Sequence, residues 1–385
     1  MALVLKGGRL LDPGRGLDGR LELRIENGKI AAIGSEVETR RATVRQLDGA
    51  LVTPGLIDGH VHIYEGVGFH GIDPDLLGVG AGVTTVVDAG SSGAATFEGL
   101  ARFVIPRART RVLVFLHLAL VGTPGGPTFS ELSTPDAIDE EATARVIEAN
   151  RDVIIGIKTR VSRTAVGKLG LEPLRRARAL ADQVRLPLLV HIGDPHPHAD
   201  PQIPIQDVVR LLRPGDILTH LFTAHPGGLL DGNDRIHPEI REAYAAGLRF
   251  DVGHGMNNVS FDTAARVLDQ GIRPHTISTD GHRIAWSRLV YDLPTTMAKC
   301  LALGFSVREV VEKVTYETAR SLGRPELVPG LAVGQPAEIS VLRVEDTEWQ
   351  AEDSMGKKMT ARQRIVPVLA IRGDEIFEPS PSHRP

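Results

Sequence analysis

The alternation of apolar and polar positions changes character twice along this chain. From residue 2 to about residue 50, short apolar runs alternate with polar positions between Gly, Pro and Asn turns, as in 21–25 before Asn27 and Gly28. An Asn-Gly pair between such runs predicts a hairpin. Similar strand-like runs return at 334–342 and 365–371. We therefore predict a small β-sandwich domain built from both chain termini, with residues 1–52 and 331–385 as its two parts.

The middle of the chain, residues 53–330, has a different rhythm, in which short apolar runs alternate with helical patterns. Nearly continuous apolar strands between helices predict parallel pairing, because helices then cover both faces of the sheet. Eight such runs fit an α/β fold of the TIM-like (β/α)8 barrel type, and no Gly-x-Gly-x-x-Gly loop follows a strand. The runs are 51–62, 84–90, 111–120, 153–161, 186–193, 216–222, 248–253 and 276–280.

Composition narrows the class of protein. The 385 residues are 42% hydrophobic and 24% charged, which is normal for a soluble globular chain. The formal charge of -4 gives no reason to expect a nucleic acid or a membrane as partner, and no apolar run is long enough to span a bilayer. A single cysteine excludes an internal disulfide and is typical of the cytoplasm, where we expect the protein. A small-molecule substrate is the expected partner, and a homo-oligomer remains open.

Polar residues that could bind a metal end several of the apolar runs. His60 and His62 are two residues apart, so a strand would project both imidazoles to the same side. A lone His-x-His pair is weak support for a metal site. In a barrel, however, the strand ends converge on one rim. The residues that we predict there as metal ligands are His60, His62, Lys158, His191, His220 and Asp280.

Lys158 is the unusual member of this set, because an ammonium group repels cations. Burial beside other cations lowers a lysine pKa and favours the free amine. A free amine can react with CO2 to form a carbamate, whose two oxygens are able to bridge two metal ions. The alternative is a structural salt bridge between Lys158 and Asp280.

These residues resemble the amidohydrolase superfamily, through the segment 54–62 and through Lys158, His191, His220 and Asp280. The resemblance implies one ion held by His60, His62 and Asp280 and a second held by His191 and His220. Carboxylated Lys158 and a hydroxide would bridge the two ions. The mixed nitrogen and oxygen ligands favour two Zn²⁺ ions. In this family pattern the bridging hydroxide attacks the substrate carbonyl, and Asp280 acts as general base and then general acid.

Four further residues are candidates for substrate binding. Arg160 shares a strand face with Lys158 and would clamp a substrate carboxylate, although pairing with a structural acid at the rim is an equal alternative. His254 and Gly255 follow the seventh run, where glycine allows substrate to approach the backbone. Tyr64 lies two residues beyond His62 and would line the pocket.

The expected reaction follows from comparing subgroups of this superfamily. Dihydroorotases commonly carry Arg two residues after the second His, where this chain has Tyr64. Segments 157–160, 250–255 and 278–282 are instead similar to the amidohydrolase/deacetylase metallohydrolase group. We expect a binuclear hydrolase that cleaves an acyl group, expected to be acetyl, from the nitrogen or oxygen of a small carboxylate-bearing substrate.

Two alternatives to this reaction are kept. The first is a cyclic amidohydrolase, which would open a ring as dihydroorotases and hydantoinases do. The second is a non-catalytic scaffold protein, as found where family members have lost their ligands. All six ligand positions are filled here, which argues against the scaffold.

Overall fold

The computed structural model describes residues 2–126, 129–196 and 202–380. Within these ranges the strands are β1 (Ala2–Lys6), β2 (Arg9–Asp12), β3 (Leu17–Arg20), β4 (Glu22–Glu26), β5 (Lys29–Gly34), β6 (Ala42–Gln46), β7 (Leu51–Pro54), β8 (Leu56–Val61), β9 (Val83–Gly93), β10 (Arg111–His117), β11 (Ile154–Arg160), β12 (Leu188–His191), β13 (Ile217–Thr219), β14 (Arg249–Asp251), β15 (Glu338–Glu352), β16 (Lys358–Arg372) and β17 (Glu375–Phe377). The helices are α1 (Pro74–Leu77), α2 (Phe97–Gly99), α3 (Glu140–Ala149), α4 (Arg163–Val166), α5 (Glu172–Val184), α6 (Ile205–Val209), α7 (Pro238–Ala246), α8 (Phe261–Asp269), α9 (Arg283–Ser287), α10 (Leu293–Ala302), α11 (Val307–Lys313) and α12 (Tyr316–Ser321). None of these helices is long and apolar enough to cross a membrane.

Seven parallel strands, β8 to β14, lie side by side in chain order, and the eighth predicted run closes them into a barrel. Parallel bridges join Asp251 to Thr276 on one side of this segment and Val61 to Gly281 on the other. The segment forms no regular ladder, since the backbone N–H of Thr279 donates to the carboxylate of Asp58 at 3.0 Å. The predicted barrel is confirmed.

The first predicted run, 51–62, is not one strand but two. Its start, β7, pairs with β15 and β2 in a different sheet, whereas β8 pairs with β9 in the barrel. Gly55 lies at the division and packs so closely on the next barrel strand that a Cβ there would lie 2.3 Å from Oγ1 of Thr84. The sequence does not show this break, because both halves of the run are apolar and buried.

Two sheets outside the barrel form the predicted β-sandwich. One has the order β5-β4-β1-β6, and the other has the order β17-β16-β15-β7-β2-β3, so that the second contains strands from both chain termini. Leu5 and Ile25 from the first sheet share a buried cluster with Val52, Ile339 and Leu369 from the second. The architecture is therefore confirmed, while the domain limits at 52/53 and 330/331 remain predictions.

The longest strands, β15 and β16, form a hairpin that leaves the sandwich and runs along the barrel. Its outer half packs on α10 and contributes Trp349, Ala361 and Ile365 to the hydrophobic cluster around the barrel. The turn at 353–357 consequently lies against the loop that follows β14.

Candidate metal centre

The structure brings the six predicted ligand residues into one cluster at the mouth of the barrel. Nε2 of His60 and Nε2 of His62 lie 3.5 Å and 3.1 Å from Oδ1 of Asp280. Nε2 of His220 lies 2.7 Å from Nδ1 of His191, and the rings of His60 and His220 are 5.3 Å apart. Nζ of Lys158 is 3.4 Å from Nε2 of His60.

Hydrogen bonds on the far side of three imidazoles orient them. Nδ1 of His60 lies 3.0 Å from Oγ1 of Thr219, which itself donates to Asp251 at 2.7 Å. Nδ1 of His220 faces the backbone carbonyl of Gly253 at 2.7 Å, and Nδ1 of His62 lies 3.0 Å from Oγ of Ser91. A carbonyl can only accept, so His220 carries its proton on Nδ1 and presents a bare Nε2. Such outer partners fix the ring orientation that metal-binding histidines need.

Burial lowers the pKa of His60, His191 and His220 and so favours their neutral form, which is the form that binds metals. Burial lowers the pKa of His220 to about 3 and lowers the pKa of His191 well below its usual value. Burial also lowers the pKa of Lys158 to about 8, so a free amine is accessible near neutral pH. Burial alone would raise the pKa of Asp280, but its contacts with His60 and His62 hold that pKa well below the usual range.

The alternative of a Lys158–Asp280 salt bridge is not the observed arrangement. Lys158 contacts His60 instead, and its pair with Asp280 is not among the ion pairs within 4.0 Å in the described part of the chain. A buried amine beside an imidazole is a more unusual environment than a salt bridge, because neither group neutralises the other. This position therefore suits further chemistry at Nζ.

Strained backbone and close-packed glycines hold the cluster together. His220 and Asp280 both have positive φ, at 75° and 48°, which is uncommon outside glycine and marks sites where the fold fixes a costly conformation. A Cβ on Gly90 would lie 2.6 Å from Cγ of Lys158, and a Cβ on Gly255 would lie 2.4 Å from Oδ2 of Asp280. Larger residues at these two positions would displace the ligand side chains.

The donor set fits a divalent metal ion. Ligand atoms of His60, His62 and Asp280 all lie within 4.8 Å of one another, and all three residues are buried or half-buried. Imidazole nitrogens combined with a carboxylate match the preferences of Zn²⁺ and similar ions.

The predicted substrate-binding residues have mixed placements. Nη1 of Arg160 donates to both carboxylate oxygens of Glu131, at 3.1 Å and 3.3 Å, so the rim acid of the alternative interpretation is present. The hydroxyl of Tyr64 donates to the carbonyl of Thr96 at 2.8 Å, and its ring belongs to the hydrophobic cluster.

His254 and Gly255 are both close to the centre but are engaged by protein groups. Nδ1 of His254 bonds the carbonyl of Gly255 at 2.9 Å, and its Nε2 lies 3.0 Å from Nζ of Lys299. His254 is buried, and neither ring nitrogen is left for a substrate.

Sequence reasoning missed the residues that support the ligands. They are Asp58, Ser91, Glu131, Thr219, Asp251 and Lys299 in their supporting roles. Thr219 ends β13 and directly precedes His220, and Asp251 ends β14, so both stand at strand ends like the proposed ligands. Lys299 had a clearer signal, since it is one of only eight lysines and lies within an apolar helical stretch.

Comparison with known proteins agrees with this geometry. The sequence profile of the Amidohydrolase family matches residues 51–358. "Deacetylase Atu3266" of Agrobacterium fabrum is 34% identical over 355 residues, which cover 92% of this chain and 86% of the relative. Curated relatives named dihydroorotase align over only 17% of this chain. The chain belongs to the amidohydrolase family, and it is a metal-dependent hydrolase.

Two solved structures are similar over nearly their whole length. A structure titled "Crystal structure of a dihydroorotase" has a TM-score of 0.90 and 31% identity, and the match covers 99% of this chain and 98% of that one. Another, titled "Crystal structure of an adenine deaminase", has a TM-score of 0.87 and 31% identity, with coverage of 98% and 99%. The two titles name different enzymes.

Proposed function

We propose that the protein removes an acetyl or similar acyl group from the nitrogen or oxygen of a small carboxylate-bearing molecule. The observation that carries this proposal is the convergence of four imidazoles, three of them oriented by outer hydrogen bonds, with Asp280 and the buried amine of Lys158 at the mouth of one barrel. The relation to a deacetylase over 92% of the chain favours acyl cleavage within the family.

Two divalent ions, with Zn²⁺ preferred, are proposed for the centre. His60, His62 and Asp280 would hold one of them, and His191 and His220 would hold the other. Lys158, carrying a carbamate, would contribute to both. Such ions, when bound, lower the pKa of water and polarise a carbonyl group.

The residues of the chain carry out the proton transfers of this reaction. Asp280 is ionised, because its pKa lies well below the usual range, and a carboxylate in this form can accept a proton from the attacking water. The protonated carboxyl then returns that proton to the leaving nitrogen or oxygen. Asn258 Nδ2 lies 3.3 Å from Oδ2 of Asp280 and orients this carboxyl during both transfers.

A second candidate is the opening of a cyclic amide, which the similarity to the structure titled as a dihydroorotase favours. The same centre suits both reactions, since each is an attack of water on an amide carbonyl. Tyr64 argues against this candidate, because its hydroxyl is bonded to Thr96 and leaves no cation at that position for a substrate carboxylate.

A panel of substrates tests the proposal. The purified protein, with its metal content measured, would be assayed with N-acetyl amino acids, O-acetyl hydroxy acids, dihydroorotate, hydantoin and adenine. We expect release of acetate from one of the first two classes and little turnover of the others. Ring opening without acetate release would replace the proposal by the second candidate. Less than one metal ion per chain together with no turnover would refute the assignment of this centre.

A further inference from the structure

The turn of the long hairpin is bonded to the loop between β14 and α8, which borders the metal centre. The backbone N–H of Ser354 donates to the carbonyl of Val259 at 2.9 Å, and the N–H of Val259 points back to Oγ of Ser354 at 3.3 Å. The N–H of Phe261, at the start of α8, donates to Oδ2 of Asp353 at 2.8 Å. A segment from the C-terminal part of the chain therefore fixes this loop.

Gly255, in that loop, is held from three sides. Its carbonyl accepts from Oγ of Ser354 at 3.2 Å and from Nδ1 of His254 at 2.9 Å. Its N–H donates to the carbonyl of Thr279, the residue before Asp280, at 2.9 Å. Its missing side chain makes room for Oδ2 of Asp280, since a Cβ would lie 2.4 Å from that oxygen. Movement of Gly255 would therefore move Asp280.

Lys299 extends these contacts into the barrel wall. Nζ of Lys299 lies 3.0 Å from Nε2 of His254 and donates to the carbonyl of Leu289 at 2.7 Å. Its side chain is buried, and none of the ion pairs in the described ranges includes it. Burying an amine that has no carboxylate within 4.0 Å costs stability, so we looked for a role of Lys299 beyond packing.

The two hydrogen bonds of the His254 ring identify one of its nitrogens as a donor and the other as an acceptor. Nδ1 of His254 faces a carbonyl and therefore carries the ring proton, which leaves Nε2 as the acceptor for Lys299. The chain of contacts runs from Leu289 through Lys299 and His254 to Gly255, where Ser354 joins it. It ends against Asp280.

We propose that Lys299 and Ser354 are positioning residues, which act through His254 and Gly255 to fix the carboxyl of Asp280. This inference rests on the proposed function in one respect, namely that Asp280 carries the proton. It also reassigns His254 and Gly255 from substrate contacts to supports of the proton carrier. The hairpin of the sandwich domain is then part of the catalytic apparatus rather than only a structural extension.

Kinetic measurements on Ser354→Ala and Lys299→Met in the full-length, metal-loaded protein test the inference. Loss of an outer partner typically lowers activity by about 10- to 100-fold, so we expect kcat to fall by about tenfold with little change in KM. Ser354→Thr retains the hydroxyl and should restore most of kcat. Lys357→Met, which removes only the exposed contact with Asp262 at the same turn, is the matched control and should leave kcat unchanged. Unchanged kcat in both test variants would overturn the inference.

Hydrogen exchange provides a readout that needs no substrate. Ser354→Ala should raise the exchange rate of backbone amides at 253–260, whereas Ser354→Thr and Lys357→Met should not. If the native protein hydrolyses nothing in the panel, the proposed function fails, and this exchange measurement still decides the inference. Unchanged exchange in Ser354→Ala would show that the hydroxyl of Ser354 does not hold the loop and would overturn its assignment as a positioning residue.

Discussion

At the scale of single residues, the candidate metal centre depends on closely packed glycines as much as on its polar side chains. The convergence of the proposed ligands could be predicted, because His60, Lys158, His191 and Asp280 all follow or end apolar runs that a barrel brings to one rim. The hydrogen bonds that support these residues could not be predicted. Thr219 reaches His60 from a strand 159 positions away in sequence, and no periodic pattern marks that pairing.

Gly90 gives the sharpest test of this close packing. Its φ is +90°, and a Cβ would lie 2.6 Å from Cγ of Lys158 and 2.9 Å from Cδ2 of His117, so Gly90→Ala should push Lys158 out of the centre. A misplacement of about 1 Å can cost about 100-fold in rate, and we expect a loss of kcat/KM of that order. The measurement is steady-state kinetics combined with metal content.

Gly304→Ala is the matched control for backbone strain. Gly304 has nearly the same φ, +92°, but no atom lies within 4 Å of the position of a Cβ. Both variants carry the strain of a left-handed alanine, about 1–2 kcal/mol. Equal losses of activity in the two variants would attribute the effect to strain and contradict the proposed contact with Lys158.

At the scale of elements, strand order was predictable and loop placement was not. Strands β9 to β14 lie within a few residues of the predicted runs, because burial on both faces leaves an unbroken apolar run. The loop after β10 delivers Glu131 to Arg160 at the end of β11, and nothing in the spacing of these residues indicates the contact. Sequence reasoning consequently left two interpretations of Arg160 open.

The two interpretations of Arg160 are compatible, and a substitution tests the carboxylate clamp. Only Nη1 donates to Glu131, and Nε has no partner among the described residues, so the guanidinium has donors left for a substrate carboxylate. Removing a hydrogen bond to a charged group costs about 1.5–3 kcal/mol, so KM should rise by about tenfold or more for carboxylate substrates. KM for the corresponding substrate amides should change little.

Substitution of Arg160 alone would leave Glu131 as an unpaired buried charge. Arg160→Met is therefore combined with Glu131→Gln, because breaking a buried pair from one side is strongly destabilising. Arg176→Met, which removes an Arg–Glu pair outside the barrel mouth, serves as the control. If the double variant had the same KM as the native protein for the carboxylate substrates as well as for the amides, the clamp would be ruled out.

At the scale of the whole molecule, hydrogen bonds join the sandwich to the barrel where β15 contacts the starts of β8 and β9. The strand-like runs at the two chain ends predicted that both termini form one small domain. The boundary between this domain and the barrel could not be predicted, because it lies within the single apolar run 51–62. Ser340 lies there on β15, fully buried. Its Oγ donates to the carbonyl of Gly82 at 2.6 Å and accepts from the N–H of Leu56 at 3.0 Å, so it joins the sandwich to the first two barrel strands.

Ser340→Ala should therefore lower the stability of both parts together. The substitution removes two buried hydrogen bonds, each contributing about 0.5–1.5 kcal/mol, and thermal unfolding should remain a single transition at a lower temperature. Ser287→Ala is the control, because among the described residues its hydroxyl bonds only the nearby carbonyl of Ile284, at the exposed end of α9. Calorimetry distinguishes the outcomes: two separated transitions in Ser340→Ala would mean that the sandwich unfolds independently, and the hairpin could then not be relied on to hold Gly255 against Asp280.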